Sequence, residues 1–180
     1  IYINNSNVII EFVSITGNHT NAISGQGGAI YMNNSTVGLD YVTISGNYAN
    51  EGGGIYSDTQ NEIVISNSIL WNNANEEIKF YYNANSYSNY WIFHSLIDGG
   101  ESSISDAQWV LQDEYDVESN ISNYDSGDAI SDDIFMDSVD PSNVNPTIEG
   151  DYTLHSESPC LASGEDETDM GAYQSGPIVA

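Results

Sequence analysis

Carboxylates are the side chains in this sequence with the most capacity for chemistry. The 180 residues contain 27 Asp and Glu against a single Lys, which gives a formal net charge of −26 at pH 7. Twenty of these acids lie in residues 98–180. Because Ca²⁺ takes six to eight oxygen ligands, this density predicts a calcium site, with candidate ligands Asp128, Asp132, Asp133 and Asp137. Salt screening of an acidic surface is the alternative use of this charge.

Aromatic side chains are concentrated in residues 80–93, where seven of fourteen residues are aromatic and asparagines lie between them. Aromatic rings beside amides are typical of surfaces that bind sugars or other proteins. We therefore predict a carbohydrate or partner site whose residues are Tyr81, Tyr82, Tyr87, Tyr90 and Trp91. The alternative is an insertion whose rings pack against the side of the fold.

No catalytic residue is predicted. Glycoside hydrolysis needs two carboxylates about 5–10 Å apart, but pairs of acids arise by chance at this density. His19, His94 and His155 are far apart in sequence and share no metal-ligand spacing. Lys79 is the one basic residue, so a lyase that abstracts a proton with Lys or Arg has little to act with. Whether the protein is an enzyme therefore stays open.

The charge and hydropathy also exclude several partners. A nucleic-acid binder needs several cations to displace phosphate counterions, and here there is one. An anionic membrane surface is excluded for the same reason. No apolar run approaches the roughly 20 residues that a membrane-spanning helix requires, so no transmembrane segment is predicted. Cys160 is the only cysteine, so no disulfide can form within the chain.

Two short motifs recur in the same order along the first 99 residues. The first begins at Ile1, Ile30, Ile55 and Ile78, at intervals of 29, 25 and 23 residues. The second, Val-Ser-Ile-Thr-Gly-Asn at residues 13–18, returns at residues 42–47, 68–73 and 94–99. Between turn residues, each repeat alternates apolar and polar side chains with the period of a β-strand.

Stacking these repeats as coils predicts columns of equivalent residues. One inward column would hold Ile30, Ile55 and Ile78, and another Ile15, Ile44, Leu70 and Leu96. Asn18, Asn47 and Asn73 would form an asparagine ladder at a bend, with rungs about 4.8 Å apart. In this alignment His94 shares the position of Val13 and Val42, which predicts a histidine in the core or at a bend.

The elements Gly27-Gly28-Ala29-Ile30-Tyr31 and residues 44–56 resemble the right-handed parallel β-helix repeats of autotransporter-type surface proteins and polymorphic outer-membrane proteins. Residues 131–137, 151–154, 158–160 and 169–173 are similar to the segments that close such solenoids. The resemblance implies an all-β, right-handed parallel β-helix with an irregular acidic C-terminal capping segment. Residues 1–99 would be the rungs, and residues 100–180 the last rungs, acidic loops and cap of the same domain, in what we expect to be a fragment of a longer chain.

The repeats, the acidity and the resemblance together predict a secreted or cell-surface β-solenoid with a structural or adhesive role. Filament formation by end-to-end self-association, binding of surface glycans and stabilisation by Ca²⁺ are its expected finer properties. The alternative from a different class is the C-terminal part of a polysaccharide-acting enzyme, a lyase or glycoside hydrolase on the same scaffold. The fold hosts many activities, so it does not decide between them.

Overall fold

The computed structural model describes residues 1–20, 23–81, 88–105, 112–116, 119–121, 134–141 and 146–174. Within these residues the strands are short, as the alternating pattern predicts. Their bounds in chain order are β1 (Tyr2–Asn4), β2 (Asn7–Glu11), β3 (Ser14–Thr16), β4 (Ile30–Asn33), β5 (Thr36–Asp40), β6 (Thr43–Ser45), β7 (Ile55–Ser57), β8 (Glu62–Ser66), β9 (Ile69–Trp71), β10 (Ile78–Phe80), β11 (Asn89–Phe93), β12 (Leu96–Ile97), β13 (Ile104–Ser105), β14 (Gln112–Tyr115), β15 (Phe135–Asp137) and β16 (Asp151–Leu154). Two 3₁₀ turns are η1 (Gly100–Ser103) and η2 (Glu165–Glu167).

Every third strand joins the same sheet. Sheet A has the order β1-β4-β7-β10-β13, sheet B the order β2-β5-β8-β11-β14, and sheet C the order β3-β6-β9-β12. Pairing is parallel throughout these three sheets. Each coil therefore contributes one strand to each sheet. This arrangement is a parallel β-solenoid, which confirms the predicted fold class.

Inside the coils, the predicted columns are formed with one correction. Ile30 pairs with Ile55, which pairs with Ile78, so the first column is confirmed. In the second column, however, Leu70 pairs with Ile97 and not with the predicted Leu96, which pairs with Ile69. The cause is a longer coil: equivalent residues of β8 and β11 are 27 apart, against 26 for β5 and β8.

The same extra residue moves His94 to a bend. It follows Phe93, which pairs with Ser66, so its equivalents are Asn67, Tyr41 and Phe12 and not the predicted Val42 and Val13. All four residues have the left-handed backbone, with φ between 46° and 53°. This conformation turns the chain from sheet B to sheet C at each coil. His94 is therefore a bend histidine. What it shares with the equivalent residues of the other coils is its left-handed backbone and not its side chain.

Apolar side chains are buried in two places. The interior of the coils holds one cluster, which includes Ile30, Ile44, Ile63 and Tyr90. A second cluster lies outside sheet C, where the C-terminal tail (residues 134–174) packs against β9 and β12. Its fully or almost fully buried members are Ile69, Trp71, Leu96, Ile134, Phe135, Tyr152, Cys160 and Met170. Of the predicted segment 100–180, β13 and β14 thus continue sheets A and B, whereas residues 134–141 and 146–174 lie along the side of the solenoid.

The tail contacts sheet C from one end to the other. The Thr147 N–H donates to the Gly17 carbonyl at 2.8 Å, and the Gly171 N–H donates to the Asn67 carbonyl at 2.7 Å. The Asn67 side chain accepts a further bond from the Glu165 N–H at 2.7 Å. Sheet C is therefore covered by the chain's own tail along most of its outer surface.

Candidate binding surface

The contacts of the described tail lie on sheet C and leave the outer surface of sheet B open. Alternation along each strand sends every second side chain outward, and successive coils place these in three columns. We call this surface the open face. Its central column is Ile9, Gly38, Val64 and Trp91, and its flanking columns are Asn7, Thr36, Glu62 and Asn89 on one side and Glu11, Asp40, Ser66 and Phe93 on the other.

The centre of the open face is apolar and in contact with solvent. Ile9 is 75% exposed and Val64 is 38% exposed, although both lie in the middle of strands. Trp91 is partly exposed on the next strand of the sheet. Phe93 extends the apolar surface beside Trp91, whereas Asn89 and the residues that flank Ile9 and Val64 are polar. This arrangement suits a ligand with apolar and polar edges.

The structure divides the predicted aromatic platform. Trp91 faces outward, and Tyr81 is 47% exposed just after β10. Tyr90 is a correction: it is fully buried, and its ring stacks on Phe80 at 5.6 Å between centroids. Alternation in β11 sends it inward, so it cannot offer a ring to a ligand. Tyr82 and Tyr87 lie outside the described residues.

The polar columns of the open face mix donors and acceptors. Asp40 Oδ1 accepts hydrogen bonds from Ser66 Oγ and from Asn67 Nδ2, each at 2.8 Å. Thr36 Oγ1 and Glu62 Oε2 are 3.4 Å apart across neighbouring strands. These bonds orient the carboxylate of Asp40 beside the central column and leave hydroxyl, amide and carboxylate groups along its edges.

Sheet A carries a tyrosine column that the sequence analysis did not identify as a feature. Tyr2, Tyr31 and Tyr56 stack with centroids 5.4 and 5.5 Å apart and planes within 13° of parallel. Tyr31 Oη donates to Asp58 Oδ2 at 2.5 Å, and burial together with this carboxylate raises the pKa of Tyr31. The recurring Ile-Tyr pairs were the available signal. Because these rings cover one another's faces, sheet A suits a flat-stacked ligand less well than Trp91 does.

The predicted asparagine ladder is confirmed and ends on a buried acid. Asn18 Nδ2 donates to Asn47 Oδ1, and Asn47 Nδ2 donates to Asn73 Oδ1, each at 2.9 Å. At the end of the ladder the acceptor is Glu77, four residues after Asn73, whose carboxyl accepts from the Asn73 backbone N–H at 2.9 Å and from Asn73 Nδ2 at 2.5 Å. Burial raises the pKa of Glu77 to about 8, against the lowering effect of these two bonds and with a smaller contribution from Asp98.

The calcium prediction is not tested by the described residues. Asp137 lies in β15, on the exposed surface of the tail. Asp128, Asp132 and Asp133 lie outside the described part of the chain. Elsewhere in the described ranges, no group of three or more His, Cys, Asp and Glu side chains is close enough to hold a metal ion. The four-aspartate site stays a prediction.

His94 also borders an open cleft between the last described coil and the tail. Asp116, Ser119, Asn120, Ile121 and Ser163 complete its lining, and its volume is about 520 Å³. The backbone N–H of His94 donates to Ser119 Oγ at 3.1 Å, and Asn120 Oδ1 accepts from the Ser95 N–H at 2.9 Å. These contacts continue the coil-to-coil bonding, so the polar groups here have a structural role.

Comparison with known proteins supports the fold through part of one coil. Residues 41–58 match the Chlamydia polymorphic membrane protein repeat. This stretch runs from the bend at Tyr41 through β6, the Asn47 corner and the glycines to the end of β7, and so holds both recurring motifs. The predicted resemblance is confirmed on these residues, and it indicates a surface-exposed bacterial β-solenoid. No curated protein and no solved structure matches the chain significantly.

The matched stretch builds the scaffold and contributes little to the open face. Of its residues, Asn47 belongs to the asparagine ladder and Tyr56 to the tyrosine column. The open face is formed by β2, β5, β8 and β11, which all lie outside residues 41–58. Within the described ranges no helix is both long and apolar enough to span a membrane.

Proposed function

We propose that the protein is a cell-surface β-solenoid whose open face binds a neutral glycan, which gives the scaffold an adhesive role. The observation that carries this proposal is the contrast between the sheets: the tail covers sheet C, whereas sheet B leaves an apolar column and Trp91 in contact with solvent. A surface-exposed apolar column in a chain of this acidity is typical of a binding site.

The ligand class follows from the chemistry of the columns. Sugar rings present an apolar face to an aromatic ring and hydroxyl groups at their edges. On the open face, Trp91 lies beside Asn89, and Glu62 follows on the neighbouring strand. The net charge of −26 disfavours an anionic polysaccharide by repulsion. A neutral glycan avoids that repulsion and can donate hydroxyl hydrogens to the carboxylates.

Binding to soluble neutral oligosaccharides, such as cellohexaose, xylohexaose and mannohexaose, tests the proposal by calorimetry. We expect at least one of them to bind, and Trp91→Ala to lower its affinity by roughly tenfold or more, which corresponds to about 1.4 kcal/mol. Tyr2→Ala is the matched control, because Tyr2 is 70% exposed but lies on sheet A. If none binds, or if both variants bind like the wild type, the proposal is wrong. Turnover of the ligand would instead favour the enzyme alternative.

End-to-end association is the second part of the proposal. In the part of the chain that the structure describes, β1, β2 and β3 each pair on one side only, and either further coils of a longer chain or a second copy would cover this edge. Large apolar side chains are exposed there, namely Ile1, Tyr2, Ile9, Phe12 and Val13. Such an edge can add further strands. Electron microscopy of the wild type should show linear particles that Val13→Asp shortens, and monodisperse single particles of wild type would exclude this part.

Calcium stabilisation is the third part, and it is supported by composition. The twenty acids of residues 98–180 repel one another, and a divalent cation would reduce that repulsion. The predicted ligands are those named in the sequence analysis.

A further inference from the structure

Gly38 is the one glycine within the described strands, and the fold gives no reason for it. It lies in the middle of β5 with its side-chain position facing outward. Its φ is not in the left-handed region, and a Cβ built on it would meet only the Ile9 side chain, at 3.8 Å. By contrast, Gly46 has φ +65° and a Cβ there would lie 2.4 Å from the Val139 carbonyl oxygen.

A glycine at such a position lowers the stability of the strand. It loses more backbone entropy on folding than other residues do, and it interrupts the packing of the central column. A β-branched residue would fit between Ile9 and Val64, its neighbours in that column. Glycine inside a strand often marks a site where a ligand or another backbone approaches closely.

Without a side chain at Gly38, the open face has a notch. Ile9 and Val64 border it across the sheet, and Thr36 and Asp40 border it along β5. Its floor is the backbone of Gly38. The notch therefore has apolar walls in one direction and hydroxyl and carboxylate groups in the other.

We infer that the Gly38 notch is a sugar subsite in which one ring of a neutral glycan lies directly on the strand backbone. This inference rests on the proposed function. Trp91 lies two strands away in the same column, which is roughly 9.6 Å at the spacing of neighbouring strands. One sugar unit of an extended chain is about as long as one strand spacing, so a unit in the notch is followed by one over Val64 and by a third that reaches the Trp91 ring.

The charges around the notch favour this occupant. Glu11, Asp40 and Glu62 are the charged side chains among the outward residues of β2, β5, β8 and β11, and none of those residues is basic. An anionic chain is therefore repelled. Asp40 already accepts two hydrogen bonds on Oδ1. The hydroxyl groups of Thr36 and Ser66, in the two flanking columns, can both donate and accept hydrogen bonds. Sugar hydroxyls complement this mixture, whereas a basic peptide would use the carboxylates alone.

The test compares stability and affinity in Gly38→Val, because the inference predicts opposite signs for them. We expect the melting temperature to rise by about 2 °C or more, since a strand-forming residue fills the column. We expect the affinity for the oligosaccharide bound by the wild type to fall by roughly tenfold or more. Gly38→Ala should give smaller changes of the same signs. Met136→Val, at an exposed position of β15, should leave the affinity unchanged.

The outcomes separate this inference from the function on which it rests. If the wild type binds none of the oligosaccharides, the proposed function fails, and the inference fails with it. If the wild type binds, Trp91→Ala loses affinity and Gly38→Val does not, only the notch is wrong. A lower melting temperature in Gly38→Val would show that the fold itself needs the glycine and would also overturn the inference. Binding of a lysine-rich peptide with steep salt dependence, without glycan binding, would assign the face to a cationic partner instead.

Discussion

Replacement of Glu77 by Gln should flatten the pH dependence of stability. Glu77 is 3% exposed, and its pKa in the folded protein is about 8, against an ordinary value of 4.5. Between these values the folded protein keeps a proton that the unfolded chain releases. The stabilising contribution of this group is therefore complete below about pH 4.5 and is lost as the pH rises to about 8. Each pH unit in this window costs about 1.4 kcal/mol.

Between pH 5 and pH 7 the wild type should therefore lose roughly 2.7 kcal/mol more than Glu77→Gln does. The glutamine amide oxygen can accept both bonds from Asn73, as Asn73 Oδ1 accepts both from Asn47. The variant thus retains the ladder and removes the titration. Denaturant unfolding at several pH values measures the two slopes.

Glu62→Gln is the matched control, because Glu62 is an exposed carboxylate in the middle coils. It should leave the wild-type slope unchanged. Asp98 is the other carboxylate that raises the Glu77 pKa, and its own pKa is raised by burial. Parallel pH profiles for the wild type and Glu77→Gln would refute the assignment of a protonated Glu77.

Three further predictions concern the ladder, the tail and the metal. Asn47→Ala should destabilise the protein by about 3 kcal/mol or more in denaturant unfolding, because it leaves several buried donors and acceptors unpaired. Asn4→Ala is the control: it removes one exposed hydrogen bond and should cost less than about 1 kcal/mol. Equal losses of stability in the two variants would contradict the role of the ladder. Gly46→Ala should lower the free energy of unfolding by about 1–3 kcal/mol, because Gly46 has a left-handed backbone. It should also displace the tail at Val139, so limited proteolysis should cut the tail faster than in Gly38→Ala. Equal rates of cutting would contradict this contact. Millimolar Ca²⁺ should raise the melting temperature more than Mg²⁺ at equal ionic strength, and Asp132→Asn combined with Asp133→Asn should abolish the difference; equal effects of the two ions would indicate screening alone.

Local repetition made the interior of the solenoid predictable. Ile30 and Ile55 each follow a glycine cluster and precede a tyrosine, Ile78 recurs at a similar interval, and Asn18 and Asn47 each follow a glycine, so their columns follow from alignment alone. The error at Leu96 arose where the repeat is interrupted. Residues 81–88 carry no copy of either motif, and the connection from Phe80 to Asn89 is four residues longer than its equivalent from Ser57 to Glu62. The later pairings of β9 with β12 are therefore one position away from the predicted ones. A shift of one residue in the register of a strand also exchanges the side chains that face inward with those that face outward.

The outer surfaces were less predictable. Where both faces of a strand carry apolar residues, the alternating pattern does not show which face is buried. In β11, Tyr90 and Ile92 alternate with Trp91 and Phe93, so either set could face the core. In β9, three consecutive apolar residues, Ile69–Trp71, indicate a strand buried on both sides. This was the available signal that something covers sheet C.

The sequence by itself determined that the chain coils and what lies inside each coil, because short-range periodicity specifies strands, bends and stacking columns. Only the tertiary structure decided which surface is left for a ligand. That choice depends on contacts between residues about a hundred positions apart, such as Asn67 with Glu165, for which no local pattern exists. These contacts place the tail on sheet C and leave sheet B open, whereas the stacked tyrosines cover the outside of sheet A.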